Sequence, residues 1–292
     1  MLDFLDIFQH FTIPVRDWVD DYVVGDIIPA IRPFASAAGE PITALLTAID
    51  SVLQSIPALM TILVITLATA MLATTRIAIF AGAGLLVIGF LNVWPSAMTT
   101  LAAILTAVTI CVVIGVPIGI LAARSARVES TVRPILDIMQ TTPAFAYLIP
   151  VVMLLSAGTL AATIAVIIFA IPPLIRLTNL GIRQVNEEVV EAAYAFGATP
   201  RQVLFEVQLP LALRTIMAGL NQTVMLAMSM VVIAAMIGAG GLGGDVLRGI
   251  RLLEVGQGFV GSLGIVLLAI ILDRITQSMG QGTGFKVRLP FR

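Results

Sequence analysis

Side chains that could carry out covalent chemistry are scarce in this chain. His10, Cys111 and Lys286 are the single histidine, cysteine and lysine among its 292 residues. Because Cys111 lies in an apolar run, the chain offers no disulfide framework and no cysteine-based metal site. It also lacks the Gly-x-x-x-x-Gly-Lys-Ser/Thr loop that binds nucleotide phosphates. We therefore expect a non-enzymatic chain without a cofactor or metal of its own, and any ATP and magnesium must be bound by another subunit.

The polar stretch Glu191–Pro210, EAAYAFGATPRQVLFEVQLP, stands out in an otherwise apolar sequence. Asn186 can cap a helix that begins shortly before Glu191, and Gly197 suits the left-handed position that ends such a helix. Thr199 and Gln202 have the spacing of a capping box, which marks the start of a second helix. The stretch is thus predicted to form two short helices joined by a sharp turn.

Apolar and aromatic side chains accompany this helix–turn–helix, although exposing them on a polar segment would be costly. Two arrangements account for them: a docking surface for another protein, or an amphipathic loop packed under its own bundle. The residues concerned are Tyr194, Phe196, Val203, Leu204 and Phe205.

The composition places the rest of the chain in a membrane. Hydrophobic residues make up 59% and charged residues 11%, whereas about a quarter of a soluble domain is charged. Mean hydropathy is +1.07, and a net charge of −1 provides no basic field for nucleic acid. We expect an all-α polytopic protein with about seven spans, over residues 56–75, 77–94, 99–123, 137–156, 159–178, 216–238 and 257–274.

Two of the connections between these spans are very short. Arg76 alone separates the first pair, and SAGT, which starts at Ser156, separates the fourth span from the fifth. Each must form a tight hairpin if both members of the pair cross the membrane.

The distribution of basic residues orients the bundle. With the N-terminus outside, twelve of the sixteen Lys and Arg residues face the cytoplasm and only Arg16, Arg32, Arg248 and Arg251 face out. This predicts an external N-terminal segment 1–55, two accessory helices over 56–94, a core over 95–278 with a cytoplasmic loop 179–215, and a cytoplasmic tail 279–292. The acidic, aromatic-containing segment 1–55 suits an interfacial helix, or alternatively a loosely ordered tail with apolar anchors.

Charges are missing from the inner parts of the later spans. Residues 99–123, 143–175, 216–238 and 257–272 contain no Asp, Glu, Lys, Arg or His. Intramembrane charges mark proton relays and ion sites, so their absence argues against an ion-driven pump acting alone and against a membrane hydrolase. We expect a pore subunit that is driven by a partner.

One face of the sixth predicted span could line a passage. Gln222, Met225, Ser229, Val232 and Met236 recur at helical spacing, with polar or flexible side chains. Ordinary helix packing remains the alternative, because small and polar residues also join membrane helices. The glycine-rich segment Ile237–Asp245 that follows is interpreted as a pliable exit.

The polar stretch resembles a known signature. Glu191, Ala192, Ala193 and Gly197 form E-A-A-x-x-x-G, and nine residues later V-x-L-P follows from Val207. This is similar to the EAA signature of permease subunits of binding-protein-dependent ABC importers, although those often have Ile in place of Val207. The resemblance implies that a coupling helix, seated in an ATPase subunit, comprises Glu191, Ala192, Ala193, Tyr194, Phe196, Gly197, Ala198, Thr199, Pro200 and Arg201.

Longer stretches resemble one branch of this family. Arg133–Leu154, Ile167–Val185, Ala195–Ala212 and Gly219–Ile250 are similar to glycine betaine/proline betaine permease subunits. The resemblance implies a type I importer permease fold in a prokaryotic inner membrane, working as a homodimer with two ATPase subunits and an external substrate-binding protein. One departure concerns SAGTLAA (156–162), where the family has a Gly- and Pro-rich turn, and this affects the expected contact with the binding protein.

The cargo expected from this resemblance is a quaternary ammonium compound, which aromatic faces bind well. The spans contain few aromatic candidates, namely Trp94, Phe145, Tyr147 and Phe169, and packing or anchoring at the interface explains each of them equally simply. High affinity is therefore expected in the separate binding protein. Choline, carnitine or another small solute as cargo, an ion-coupled secondary carrier and a non-transporting scaffold are the alternatives.

Overall fold

The computed structural model describes residues 13–280, and every regular element among them is helical. We number the helices in chain order. They are α1 (Val15–Ser55), α2 (Ala58–Leu72), α3 (Thr75–Phe90), α4 (Trp94–Arg124), α5 (Ala126–Thr141), α6 (Ala144–Leu155), α7 (Thr159–Arg183), α8 (Glu187–Ala195), α9 (Pro200–Ser229), α10 (Val231–Ala235), α11 (Gly241–Leu252) and α12 (Val255–Gly280). His10, Lys286 and most of the predicted tail 279–292 lie outside the described residues.

Helix α7 forms the centre of the bundle. In its most apolar window 67% of the residues are buried, compared with 22–33% in α4, α9 and α12. It packs against α4 on one side and α9 on the other, while α12 packs against α9 and α11. Close helix crossings depend on glycine: a Cβ atom on Gly119 of α4 would lie 2.5 Å from Cβ of Thr178 in α7. Small residues at such crossings bring membrane helices together.

The predicted count of seven spans is not confirmed. Among residues 13–280, four helices are long and apolar enough to cross a membrane, namely α4, α7, α9 and α12. The pairs α1–α2 and α5–α6 meet the combined requirement of length and apolar character only when their two helices are taken together, and each pair bends by 112°. They bring the number to six, and the apolar α3 is shorter than a full span.

The span predicted over residues 137–156 is not one continuous helix, because the helix ends at Thr141 and restarts at Ala144. Thr142, with φ −71° and ψ 128°, is extended, as expected for the residue before a proline. Pro143 therefore turns the chain sharply between α5 and α6.

The break predicted at Arg76 lies slightly earlier in the chain. Helix α2 ends at Leu72, and Thr74 caps α3 through a hydrogen bond from the Ile77 amide. Arg76 is thus part of the first turn of α3. By contrast, the short connection predicted after α6 is confirmed, since Ser156–Gly158 separates α6 from α7.

The sixth predicted span begins much earlier than expected. Helix α9 runs from Pro200 to Ser229, so the second half of the polar stretch and the apolar span are parts of one helix. Pro210 lies two residues after a π-helical segment, Val203–Gln208. A local widening of this kind accommodates the missing amide hydrogen of a proline.

Candidate coupling site and translocation face

Helix α8 has the capping expected from its sequence. The Asn186 Oδ1 accepts a hydrogen bond of 2.9 Å from the Glu188 amide. At the other end, Gly197 has φ +86°. Its amide donates to the Tyr194 carbonyl at 2.9 Å, and that of Ala198 donates to the Ala193 carbonyl at 3.1 Å. These two bonds form a Schellman motif, which ends the helix in a sharp turn.

The restart of the chain at Thr199 is equally well defined. Thr199 and Gln202 form a complete capping box, with Pro200 at the start of α9. The Gln202 Oε1 accepts from the Thr199 amide at 2.9 Å, while the Gln202 amide donates to the Thr199 Oγ1 at 3.3 Å. The helix–turn–helix predicted from the sequence is therefore confirmed.

This helix–turn–helix is left largely uncovered by its own chain. No residue of α8 is buried, and Phe196 is 92% exposed. The side chains of Glu191 and Arg201 make no hydrogen bond or ion pair within residues 13–280. All ten predicted coupling residues are half-buried or exposed, so the structure leaves this segment free for a partner.

Of the two arrangements left open by the sequence, packing under the bundle applies to two of the apolar residues. Val203 is 1% and Leu204 3% exposed. They occupy the π-helical segment, on which α8 packs, and turn inward to anchor α9. Phe205 remains 54% exposed, so the uncovered aromatic residues are Tyr194, Phe196 and Phe205.

Ionic contacts hold the base of this segment, and the sequence did not suggest them. The Arg183 Nη2 lies 2.7 Å from the Glu129 Oε2 and donates to the Ala122 carbonyl at 2.9 Å. Arg183 thus ties the ends of α4, α5 and α7 together four residues before α8 begins. Seven residues earlier in α7, Arg176 forms an ion pair with Asp137 of α5. The seven-residue spacing of the two arginines, which puts them on one helix face, was the available signal.

The predicted translocation residues share one face of α9 and its extension. Gln222, Met225, Ser229 and Met236 are exposed and Val232 is half-buried. Their neighbours Thr223, Ala227 and Met228 are buried and face the bundle. The face is thus free in a single chain, where it could line a passage or meet another copy, and its role stays a prediction.

A polar cluster fixes the rotation of α9 behind this face. The Asn221 Nδ2 donates to the Asp273 Oδ1 at 3.2 Å, and the Gln277 Nε2 donates to the same oxygen at 2.8 Å. Thr276 donates its hydroxyl hydrogen to the Asn221 Oδ1. Because both ends of the Asn221 amide are bound, the next residue, Gln222, is directed away from α12.

The candidate aromatic residues do not form a cage within one chain. Tyr147 and Phe169 pack edge to face with ring centroids 6.4 Å apart, and the Tyr147 hydroxyl donates to the Met139 carbonyl. Phe145 is 55% exposed, while Trp94 packs against the core. Within residues 13–280 no group of His, Cys, Asp and Glu could hold a metal ion.

The glycine-rich segment Ile237–Asp245, interpreted as a pliable exit, packs closely at two of its glycines. Gly238, Gly240 and Gly241 all have positive φ angles. A Cβ atom on Gly238 would lie 3.2 Å from the Gly158 Cα, and one on Gly241 would lie 2.4 Å from the Thr100 Oγ1. These glycines therefore allow tight packing of the loop.

The bundle has the fold of the membrane subunit of an ABC importer. It superposes on a chain of the MetNI methionine ABC transporter in an inward-facing conformation with a TM-score of 0.54 and 26% identity, covering 62% of this chain and 93% of that chain. A second crystal form gives a TM-score of 0.55 at 25% identity, with coverage of 65% and 93%. The type I importer permease fold expected from the sequence is confirmed.

Residues 115–283 match the family described as "Binding-protein-dependent transport system inner membrane component", and the chain belongs to this family. It is 48% identical to the glycine betaine/proline betaine transport system permease protein ProW of Escherichia coli (strain K12) over 95% of this chain and 78% of that protein. The glycine betaine transport system permease protein OpuAB of Bacillus subtilis (strain 168) is 44% identical, over 91% and 94%. The glycine betaine/carnitine transport permease protein GbuB of Listeria monocytogenes serotype 1/2a is also 44% identical, over 92% and 96%.

Proposed function

We propose that this chain is the membrane-spanning subunit of an ATP-driven importer for glycine betaine, proline betaine and related quaternary ammonium osmolytes. Family membership makes it an inner membrane component of a binding-protein-dependent transport system. The names of the relatives from Escherichia coli, Bacillus subtilis and Listeria support a betaine-type cargo.

The observation that carries the coupling part of the proposal is the uncovered helix–turn–helix. Its caps hold Glu191–Arg201 in one defined shape, while Phe196 and Tyr194 remain exposed. A rigid, preformed and partly apolar surface is what a docking element needs, because little conformational entropy is lost when it binds. In this proposal two ATPase subunits receive the coupling segments of two permease copies, and the ATPase subunits alone bind ATP and magnesium.

Transmission into the membrane follows from the continuity of α9. The same helix begins beside the coupling segment at Pro200 and carries Gln222, Met225 and Ser229 on its free face. A displacement of the docked end can therefore move this face as one body. We propose that Gln222, Met225, Ser229, Val232 and Met236 line the passage, with the coupling segment in the cytoplasm and the N-terminus outside.

The proposed path is suited to passage rather than to tight binding. Its side chains provide no charge and no aromatic ring, while a quaternary ammonium group is held best by aromatic faces. Affinity then belongs to the external binding protein, which delivers the osmolyte to a weakly binding route.

Reconstitution tests this function. The chain is placed in liposomes with the ATPase subunit inside and the binding protein outside, and uptake of radiolabelled glycine betaine is measured. We expect uptake that requires ATP and all three components, and that excess proline betaine inhibits. Uptake driven by an ion gradient without the ATPase would instead establish a secondary carrier.

The second candidate function is import of a different quaternary ammonium compound by the same machinery, because the Listeria relative is named for carnitine as well as glycine betaine. Competition by carnitine, choline and proline betaine in the same vesicles ranks these compounds. Stronger competition by carnitine or choline than by proline betaine would reassign the cargo while leaving the importer function in place.

A further inference from the structure

Helix α1 crosses the end of the bundle that lies opposite the coupling segment. Helix α7 leads from the Ser156–Gly158 turn at its start to Arg183, just before α8. At 1.5 Å per residue these ends are about 37 Å apart. The matched family region starts at residue 115, so α1 precedes it.

Arg32, Gly39 and Gln54 make specific contacts between α1 and the bundle at this end. Arg32 donates a hydrogen bond to the Ser156 Oγ in the turn between α6 and α7. Gly39 packs so tightly on Leu160 of α7 that a Cβ atom there would lie 2.6 Å from Leu160 Cδ2. The Gln54 Nε2 donates to the Pro95 carbonyl at 3.0 Å and to the Thr99 Oγ1 at 3.1 Å, both in the first turns of α4.

The turn held by Arg32 is itself joined to the end of the proposed path. The Gly158 amide donates to the Ile237 carbonyl at 2.7 Å, and Met236, the last path residue, directly precedes Ile237. Beyond the glycines, the Leu242 amide donates to the Thr100 Oγ1 at 2.9 Å, on α4. The contacts therefore connect α1, the turn, the glycine-rich loop and α4.

The part of α1 around Arg32 packs lightly, whereas Ile42 and Leu53 further along the helix pack against the core. Ile31 is 46% and Phe34 77% exposed, and a hollow of about 530 Å³ lies between this part of α1 and Met153 of α6. Little further apolar area would be exposed if this part of the helix shifted, so the free-energy cost of releasing it is small. The Arg32 contact can then decide whether it is held or free.

We propose that α1 is a strap that fastens the far end of the path shut, with Arg32 as the positioning residue that holds the Ser156–Gly158 turn. This inference rests on the importer function proposed above. The fold matches inward-facing transporter structures, in which the cytoplasmic end of a path is open and the opposite end is closed. In this proposal, opening that opposite end shifts the turn away from α1 and breaks the Arg32 contact.

The first test removes the contact in the complete reconstituted complex. Without binding protein, Arg32→Gln is expected to raise basal ATP turnover about threefold, because the far end opens without its usual trigger. Arg32→Lys keeps a positively charged donor of similar reach, which Gln lacks, and is expected to restore turnover to near the wild-type value. Arg16→Gln is the matched control, since Arg16 lies on the same helix and makes only an exposed ion pair with Asp20.

The second test prevents release. In a Cys111→Ser background, Arg32→Cys and Ser156→Cys are joined by a bismaleimide about as long as an arginine side chain. We expect uptake to fall at least tenfold in the tethered protein, while each single-cysteine variant treated in the same way retains it.

The inference is wrong if Arg32→Gln has the basal turnover of the wild type, or if the tethered protein takes up substrate normally. A wild-type complex without ATP-dependent uptake would contradict the importer function, and this inference with it. The two failures are thus distinguished by the wild-type sample alone.

Discussion

Single residues define the helix–turn–helix that we propose as the coupling segment, and most of them could be predicted from the sequence. Asn186, Gly197, Thr199 and Gln202 have side chains or backbone preferences that act within a few residues of the chain, and all four adopt the predicted roles. The burial of Val203 could not be read in the same way. It depends on how α8 and α9 meet in space, and a local pattern does not contain that information.

Phe196 provides the sharpest test at this scale. It is 92% exposed on the coupling segment, while Phe90 at the end of α3 is 88% exposed. Replacing either by Ala removes almost no packing within the chain, so we expect both variants to remain folded. Phe196→Ala is expected to weaken binding of the ATPase subunit at least tenfold, because aromatic anchors dominate docking interfaces.

Phe90→Ala is the matched control and is expected to bind the ATPase subunit normally. Binding is measured by titrating the purified ATPase subunit onto the permease in nanodiscs. Equal affinity of both variants and the wild type would exclude Phe196 as an anchor.

The helices were predicted well where a span is continuous and poorly where it is broken. The spans predicted over 99–123, 159–178 and 257–274 lie within α4, α7 and α12, respectively. The bend between α5 and α6 was marked by Pro143, but hydropathy alone merged the last turn of α5 with α6 into one span. Hydropathy measures how apolar a run is and contains no information on its direction.

Helix crossings set the close packing of α4 and α7, and glycine substitutions test them. Gly119→Ala places a methyl group 2.5 Å from the Thr178 Cβ and 2.9 Å from the Ile175 carbonyl. We expect a loss of about 1–3 kcal/mol, typical of overpacking, seen as a lower midpoint of thermal unfolding in detergent. Gly244→Ala in α11 is the control, since a Cβ atom there meets nothing within 4 Å.

An unchanged midpoint for Gly119→Ala would mean that the α4–α7 crossing adjusts without cost. A fall of the same size in both variants would trace the loss to glycine replacement in general rather than to this crossing.

The free face of α9 can be tested with thiol chemistry. Cys111 is fully buried, so Cys111→Ser provides a background without a native thiol. Ser229→Cys is expected to react with a water-soluble methanethiosulfonate that carries a trimethylammonium group, and labelling should block uptake. Leu63→Cys, at a site that is also exposed but lies on the apolar helix α2, is expected to remain unlabelled because it faces lipid.

Labelling of both positions at one rate would mean that the α9 face is no more hydrated than the lipid surface. If the Ser229→Cys thiol does not react with the reagent and uptake stays intact, this residue does not line the passage.

At the scale of the whole molecule, we propose that a second copy of the chain covers the free face of α9. The path face is open on one side in the single chain, with Met225 48% exposed. We expect two copies to face each other across it, so that Met225→Cys in the Cys111→Ser chain is joined to its counterpart by a bismaleimide. A dimer band on a denaturing gel is the measurement.

Leu63→Cys again serves as the control and is expected to remain monomeric on the gel. Cross-linking of Leu63→Cys but not of Met225→Cys would place the interface on α2 and overturn the arrangement proposed for the path.

The sequence by itself determined the class of this protein and the shape of its helix–turn–helix at Glu191–Arg201. Membrane insertion follows from composition, the class from motifs of the permease family, and the caps from interactions over three or four residues. The tertiary structure decided the rest: the bends of α1–α2 and α5–α6, the Arg183 contacts, the free face of α9 and the course of α1. These depend on residues far apart in the chain, such as Arg32 and Ser156, whose proximity is set by the packing of whole helices.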